Sequence, residues 1–266
     1  MKKIIARPLK EFIHHRNYLL DEKSLVLREE DQVPWGLKPV FLVIMAYFLA
    51  IAVTYGARFL ISTLVFKDHE LPEIFSPLSS IFAITVMGLI TVIVVKPISH
   101  RNGGWARTFG VTKFSVKYLK YGFYGWIAVI VMRGVITLVF ISLHSNAAEL
   151  GSNIEPISKS IPVFVLTFLG TVLITPCIEE FMVRGVMLRT LMHKYGFWLS
   201  ACISSAIFAL FHLYQVESLL GALVLFTQIF VPSLLMCWLN RVTDSLIPGI
   251  IVHFMNNALG IIGATF

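Results

Sequence analysis

The stretch CIEEFMVRG, residues 177 to 185, sets two adjacent carboxylates, Glu179 and Glu180, and a guanidinium, Arg184, inside an apolar part of the chain. Further on, FALFH ends in His212, and HFMNN runs from His253 to Asn257, again among apolar residues. Carboxylate, imidazole and amide are the groups that can take a proton from water, pass it to a leaving amine and hold a developing oxyanion. Glu179, His212 and His253 could equally supply three protein ligands to a zinc ion with water in the fourth position. The chain has no HExxH pair on one helix, and each imidazole falls in a different apolar run, which favours chemistry without a metal or other cofactor. The sequence alone does not separate the two.

Spacing sorts these groups by face. A helix turns about 100° per residue, so residues four apart lie one above the other. Glu180 and Arg184 form such a pair and read as an ion pair that neutralises both groups at low dielectric. Glu179 points about 100° away, and Met182 and Val183 occupy the positions where a basic partner would sit. That carboxylate is left free for chemistry. Pro176 removes the backbone hydrogen bond to Val172, which predicts a kink and open space beside Glu179. Phe208 and His212 share a face, as do His253 and Asn257.

The elements that must carry these groups are membrane helices. The 266 residues are 57% hydrophobic and only 14% charged, with a mean hydropathy of +0.80, well outside the range of a soluble domain. Apolar runs near 40–64, 78–98, 119–143, 161–178, 197–214, 219–239 and 246–265 are each long enough for a helix to cross a hydrocarbon core of about 30 Å. The expected fold class is all-α: a polytopic bundle of about seven transmembrane helices with a cytoplasmic N-terminus. Residues 1–38 read as a cytoplasmic tail, with PLKEFIHHRNYLL as an amphipathic segment, and 39–266 as one membrane domain without internal repeats.

Lys and Arg collect on the cytoplasmic side, and the loops alternate accordingly. The tail carries Lys2, Lys3, Arg7, Lys10, Arg16, Lys23, Arg28 and Lys38, whereas KDHELPEIFSP is mostly acidic. Lys96 to Lys120 mark the next connection as inside, Glu149 and Glu155 the following one as outside. Arg184, Arg189 and Lys194 then lie inside, Glu217 outside and Arg241 inside. The net charge of +7 is thus mainly a topology signal plus attraction to an anionic inner leaflet, and no nucleic-acid partner is expected. No removable signal peptide is expected. Cys177, Cys202 and Cys237 lack CxxC spacing and read as small buried hydrophobes, not as a disulfide framework.

Depth brings the polar groups together. The fourth and fifth spans form a hairpin whose turn centres on Tyr195 and Gly196, and Glu179 and His212 both stand ~25 Å from it. His253 and Asn257 reach nearly the same level, ~17 to 23 Å along the last span. Arg133 lies ~20 Å from the inner end of the third span, near the same layer. A guanidinium there needs an anionic partner. It either snorkels or joins the Glu180–Arg184 network, or it lines the cavity and fixes a substrate carboxylate or backbone carbonyl.

In order and in successive spans, EEFMVR, FALFH and HFMNN resemble the EExxxR, FxxxH and HxxxN motifs of the CPBP intramembrane endopeptidases, which include the Rce-type CAAX prenyl proteases and the bacterial Abi proteins. The resemblance covers about residues 160–262 and shows no departure at the motif positions. It implies a glutamate-dependent peptidase in which Glu179 activates water and His212 works with it. It also implies that His253 and Asn257 hold the oxyanion or scissile carbonyl, with Glu180, Arg184 and Phe208 in support. The family was long described as metalloproteases and later as metal-independent. Its bacterial members are linked to bacteriocin immunity, pheromone maturation and protein processing, so the expected substrates are peptides or membrane proteins; compactness and the Lys-rich start read as a multi-pass protein of a prokaryotic plasma membrane. A non-proteolytic membrane scaffold of the same fold is the alternative. A proton-coupled carrier is a third reading, disfavoured by the lack of paired interrupted repeats.

Overall fold

A computed structural model describes residues 36–67, 70–102, 104–143, 160–216 and 218–265. The amphipathic segment expected in the tail, and the outer-loop charges Asp68, Glu149, Glu155, Lys159 and Glu217, lie outside the described residues. Every regular element among the described residues is helical: α1 (Lys38–Leu64), α2 (Phe75–Arg101), the short α3 (Gly104–Phe109), α4 (Val116–Leu143), α5 (Ile161–Tyr195), α6 (Phe197–Leu210), α7 (Leu219–Thr243) and α8 (Ile247–Thr265). Six are long and apolar enough to cross a membrane, α6 together with the turn that follows it; α8 is a shorter apolar helix. The chain is an all-α polytopic bundle.

The fourth span does not stop at residue 178. It continues as α5 for 35 residues, ~50 Å of helix, so its later turns run well beyond the level of Glu179. Glu180 and Arg184 of its charged stretch are paired with each other inside the bundle, which removes much of the reason for an apolar helix to end there. α5 packs against α1, α2, α3, α6, α7 and α8 and is the hub of the fold. One core cluster joins α1 (Val43, Ala46), α2 (Met87, Val95) and Phe109 of α3 to Met182 and Val186 of α5. A second joins Val129 of α4, Met236 and Leu239 of α7 and Val252 of α8.

Gly196, at φ +72°, is the single residue between α5 and α6, and it produces the hairpin the sequence predicts. The α7–α8 turn is closed by Asp244, at φ 50°, whose carboxylate accepts from Arg189 of α5 at 2.6 Å. α4 reaches α7 and α8 through small residues: a Cβ on Gly125 would stand 2.7 Å from Leu239.

Two sequence expectations are corrected. Only Cys237 is buried; Cys177 and Cys202 are exposed free thiols, so protein packing does not cover them as the sequence expectation required. His212 does not lie within a continuous span, because α6 ends at Leu210 and the chain turns into a short 3-10 segment, Leu213–Gln215. The backbone tightens at this end, with His212 N–H bonding to Ala209 O and Gln215 N–H to His212 O, both three residues back.

Candidate active site

The Glu180–Arg184 pair forms as the spacing predicts, with Arg184 Nη1 donating to Glu180 Oε1 at 2.8 Å and both side chains sealed from the surface. More holds it than the two charges. Arg184 Nη2 donates to Ser233 Oγ at 2.7 Å, and Ser233 Oγ donates to Ser205 Oγ at 2.8 Å. The guanidinium also lies 4.9 Å from the centroid of the Phe208 ring. Helices α5, α6 and α7 are thereby joined around one cation. Sequence reasoning missed Ser205 and Ser233, because an isolated serine in a span carries no signal of its own.

Glu180 has a second task. His253 Nδ1 lies 3.1 Å from Glu180 Oε1, so the carboxylate that neutralises Arg184 also takes the Nδ1–H of the α8 histidine. That bond sets the tautomer and leaves Nε2 as the working nitrogen. α8 can approach this closely because residue 249 is glycine, where a Cβ would stand 2.8 Å from Glu180 Oε2.

Nε2 of His253 faces Glu179, 3.6 Å from its Oε2. This is longer than a hydrogen bond, and Oε2 is a buried oxygen without a hydrogen-bond partner among the described residues. Glu179 therefore has no cation bonded to it, as the spacing predicts for its own helix, but an imidazole reaches it from α8. A neutral His253 turns a bare lone pair toward the carboxylate. A proton on either group gives the other something to bond, so the pair is suited to hold one proton and hand it over.

The resemblance couples Glu179 to His212, whereas the imidazole within ion-pair distance of Glu179 is that of His253. His212 joins the cluster through aromatic contacts. Its ring lies 4.8 Å from that of Phe208, which in turn lies 6.1 Å from that of His253. His212 Nδ1 is 2.8 Å from Phe208 O, and the reason is local. The tightened helix end takes the His212 N–H to Ala209 O, which leaves the Phe208 carbonyl for the ring to satisfy. With Nδ1–H donated there, Nε2 of His212 is free to face a substrate.

Asn257 shares the α8 face of His253, yet its Nδ2 donates to Thr171 O at 2.9 Å. Pro176 explains this, by a route other than the expected loss at Val172. Leu169–Ile174 is wound as π-helix, with Thr175 N–H bonding to Gly170 O. In that register the donor for Thr171 O would be Pro176 N, which has no hydrogen. Asn257 fills the gap and keeps one Nδ2 hydrogen for other use.

Arg133 finds no carboxylate among the described residues and does not join the Glu180–Arg184 network. Its Nε donates to Gln228 Oε1 at 3.0 Å and its Nη1 to Asn256 Oδ1 at 2.7 Å. Gln228 Nε2 returns a bond to Arg133 O at 3.1 Å. Gln228 and Asn256 are uncharged amides within apolar runs, and their presence in α7 and α8 is the signal that could have found them. Among the described residues, Glu179, His212 and His253 do not converge with one another or with other acidic, His or Cys side chains as a metal-holding set of three.

Tyr47 of α1 was not anticipated at all. Its hydroxyl donates to Phe211 O at 2.6 Å, next to His212, and it lies within electrostatic reach of Glu179.

Residues 161–259, which hold every motif position of the site, match the family model described as Rce1-like, type II CAAX prenyl endopeptidase. No curated protein and no solved structure matches the chain. The matched segment supports a protease-type hydrolase acting within a membrane-embedded helical bundle. EExxxR, FxxxH and HxxxN all lie inside the matched segment, which supports assignment to the CPBP, or CAAX protease, family.

Proposed function

We propose that the protein is an intramembrane endopeptidase that cleaves peptide bonds of membrane-associated proteins or peptides with a water activated by Glu179. The observation that carries this reading is the contrast between adjacent glutamates: Glu180 is held by Arg184 and His253, whereas Glu179 Oε2 has no bond and faces His253 Nε2 at 3.6 Å. Glu179 takes the proton of the attacking water, and His253 shares it. The proton held by Glu179 and His253 is then handed to the leaving amine, while the Nε2 lone pair of His212 accepts a hydrogen bond from the substrate or the attacking water. The remaining Nδ2 hydrogen of Asn257, with the imidazole edge of His253, stabilises the oxyanion. Phe208, Glu180 and Arg184 hold these groups in register.

Arg133 clamps α4 to α7 and α8 and presents its uncompensated charge to a substrate carboxylate or backbone carbonyl. The reaction needs no metal, and activity is expected to survive removal of divalent ions by a chelator; loss of activity restored by zinc would contradict that. The host membrane is proposed to be a prokaryotic plasma membrane, whose anionic inner leaflet suits the Lys and Arg content of residues 1–38.

The experiment is a proteomic comparison of membranes from a wild-type strain and a Glu179→Ala strain. Precursors that accumulate uncleaved only in the variant are expected, and they name the pathway, whether bacteriocin immunity, pheromone maturation or protein processing. Identical membrane proteomes with normal amounts of both proteins would favour the non-proteolytic scaffold.

A further inference from the structure

The end of α6 is a break with two carbonyls that the backbone does not serve. Phe208 O loses the His212 N–H to Ala209 O, and Phe211 O loses the Gln215 N–H to His212 O. In a membrane no bulk water replaces those donors. The first carbonyl is satisfied by the His212 ring itself, at 2.8 Å. The second is satisfied from outside the segment, by the hydroxyl of Tyr47 at 2.6 Å. The Tyr47 ring also stacks on that of Phe211, with centroids 3.8 Å apart and planes inclined by 9°. Tyr47 thus holds both the carbonyl and the side chain of the residue before His212, from a helix that carries none of the family's motifs.

α1 is firmly placed to do this. Val43, Ala46 and Ala50, on either side of Tyr47 in sequence, are buried in the core cluster that contains Met182 and Val186 of α5. The anchor of His212 is therefore tied to the helix that carries Glu179. Without the hydroxyl, Phe211 O must find another donor, and the cheapest is the Gln215 N–H in an ordinary helical turn. That change would pull on the His212 N–H as well and release its ring from Phe208 O.

We propose that Tyr47 is a positioning residue for His212, fixing by its hydroxyl the helix break that points His212 Nε2 toward the substrate. This rests on the peptidase reading for its kinetic consequence, but not for its geometry. Tyr47→Phe keeps the ring stack and removes only the hydrogen bond. In the full-length purified protein, kcat is expected to fall about 10- to 100-fold with KM unchanged. In protein labelled with 15N-histidine, the His212 ring signals are expected to move from a single Nδ1–H tautomer to a mixture. Replacing Tyr47 by para-aminophenylalanine, which restores a donor at the same place, should recover both.

Unchanged His212 signals in a folded Tyr47→Phe protein would overturn the proposal. So would a variant that fails to fold, since the tyrosine would then serve stability instead. Absence of turnover by the wild type would sink the peptidase reading while the tautomer measurement still decides the role of Tyr47.

Discussion

Glu179 and Glu180 are neighbours in sequence and opposites in setting. On the Glu180 side the bundle is sealed: the carboxylate accepts from Arg184 and His253, Arg184 goes on to Ser233 and the Phe208 ring, and Gly249 leaves no space beside it. On the Glu179 side the His253 imidazole stands 3.6 Å away, beyond hydrogen-bond distance, and the carbonyls at Thr171 and Phe211 are held by side chains from other helices. A rotation of about 100°, one residue along the helix, separates a structural charge from a reactive one. The difference teaches that the site's chemistry depends on a carboxylate being left unbonded next to one that is tied by two bonds to a cation and an imidazole. The second is what makes the first tolerable: it fixes α5, α7 and α8 around the exposed acid.

The sharpest way to break the contrast is Glu179→Gln, which keeps size and cannot accept a proton at neutral pH. It should lower kcat by about 10²- to 10⁴-fold, with melting behaviour close to wild type. On the other side, Arg184→Ala leaves Glu180 buried without its cation and should destabilise the fold by about 3 to 5 kcal/mol. Recovery of folded protein from membranes and its thermal denaturation in detergent would check this, and normal values would mean the pair is not buried. Ser233→Ala removes one hydrogen bond to the charged guanidinium and should cost about 1.5 to 3 kcal/mol, with activity per folded molecule retained. Arg133→Gln should raise KM several-fold with little change in kcat; a variant that is unstable yet has an unaltered KM would leave only the clamp through Gln228 and Asn256.

Much of the positioning was legible from spacing alone. The i, i+4 relation gave the Glu180–Arg184 bond, the Phe208–His212 contact and the common face of His253 and Asn257, because helix geometry is local. Depth counting placed residues of α5, α6 and α8 in one layer, since helices between tight turns act as rulers. Which imidazole meets which carboxylate was not legible. That depends on how closely α8 approaches α5, and the deciding residue, Gly249, is silent in sequence. The fate of Asn257 depends on a π-helical register that Pro176 permits but does not announce. Tyr47 was hidden for a similar reason: its partner is a backbone carbonyl exposed by the end of another helix, and a carbonyl has no residue type to recognise. Attention to ionisable groups alone also passed over Gln228 and Asn256, the neutral amides that hold Arg133.

The claim that two adjacent carboxylates have separate tasks is tested most directly by peptide turnover in reconstituted vesicles, with wild type, Glu179→Gln and Ser233→Ala compared per folded molecule. The account predicts background turnover for Glu179→Gln, despite a normal melting temperature, and wild-type turnover for Ser233→Ala despite a lowered one. Wild-type turnover by Glu179→Gln would contradict it.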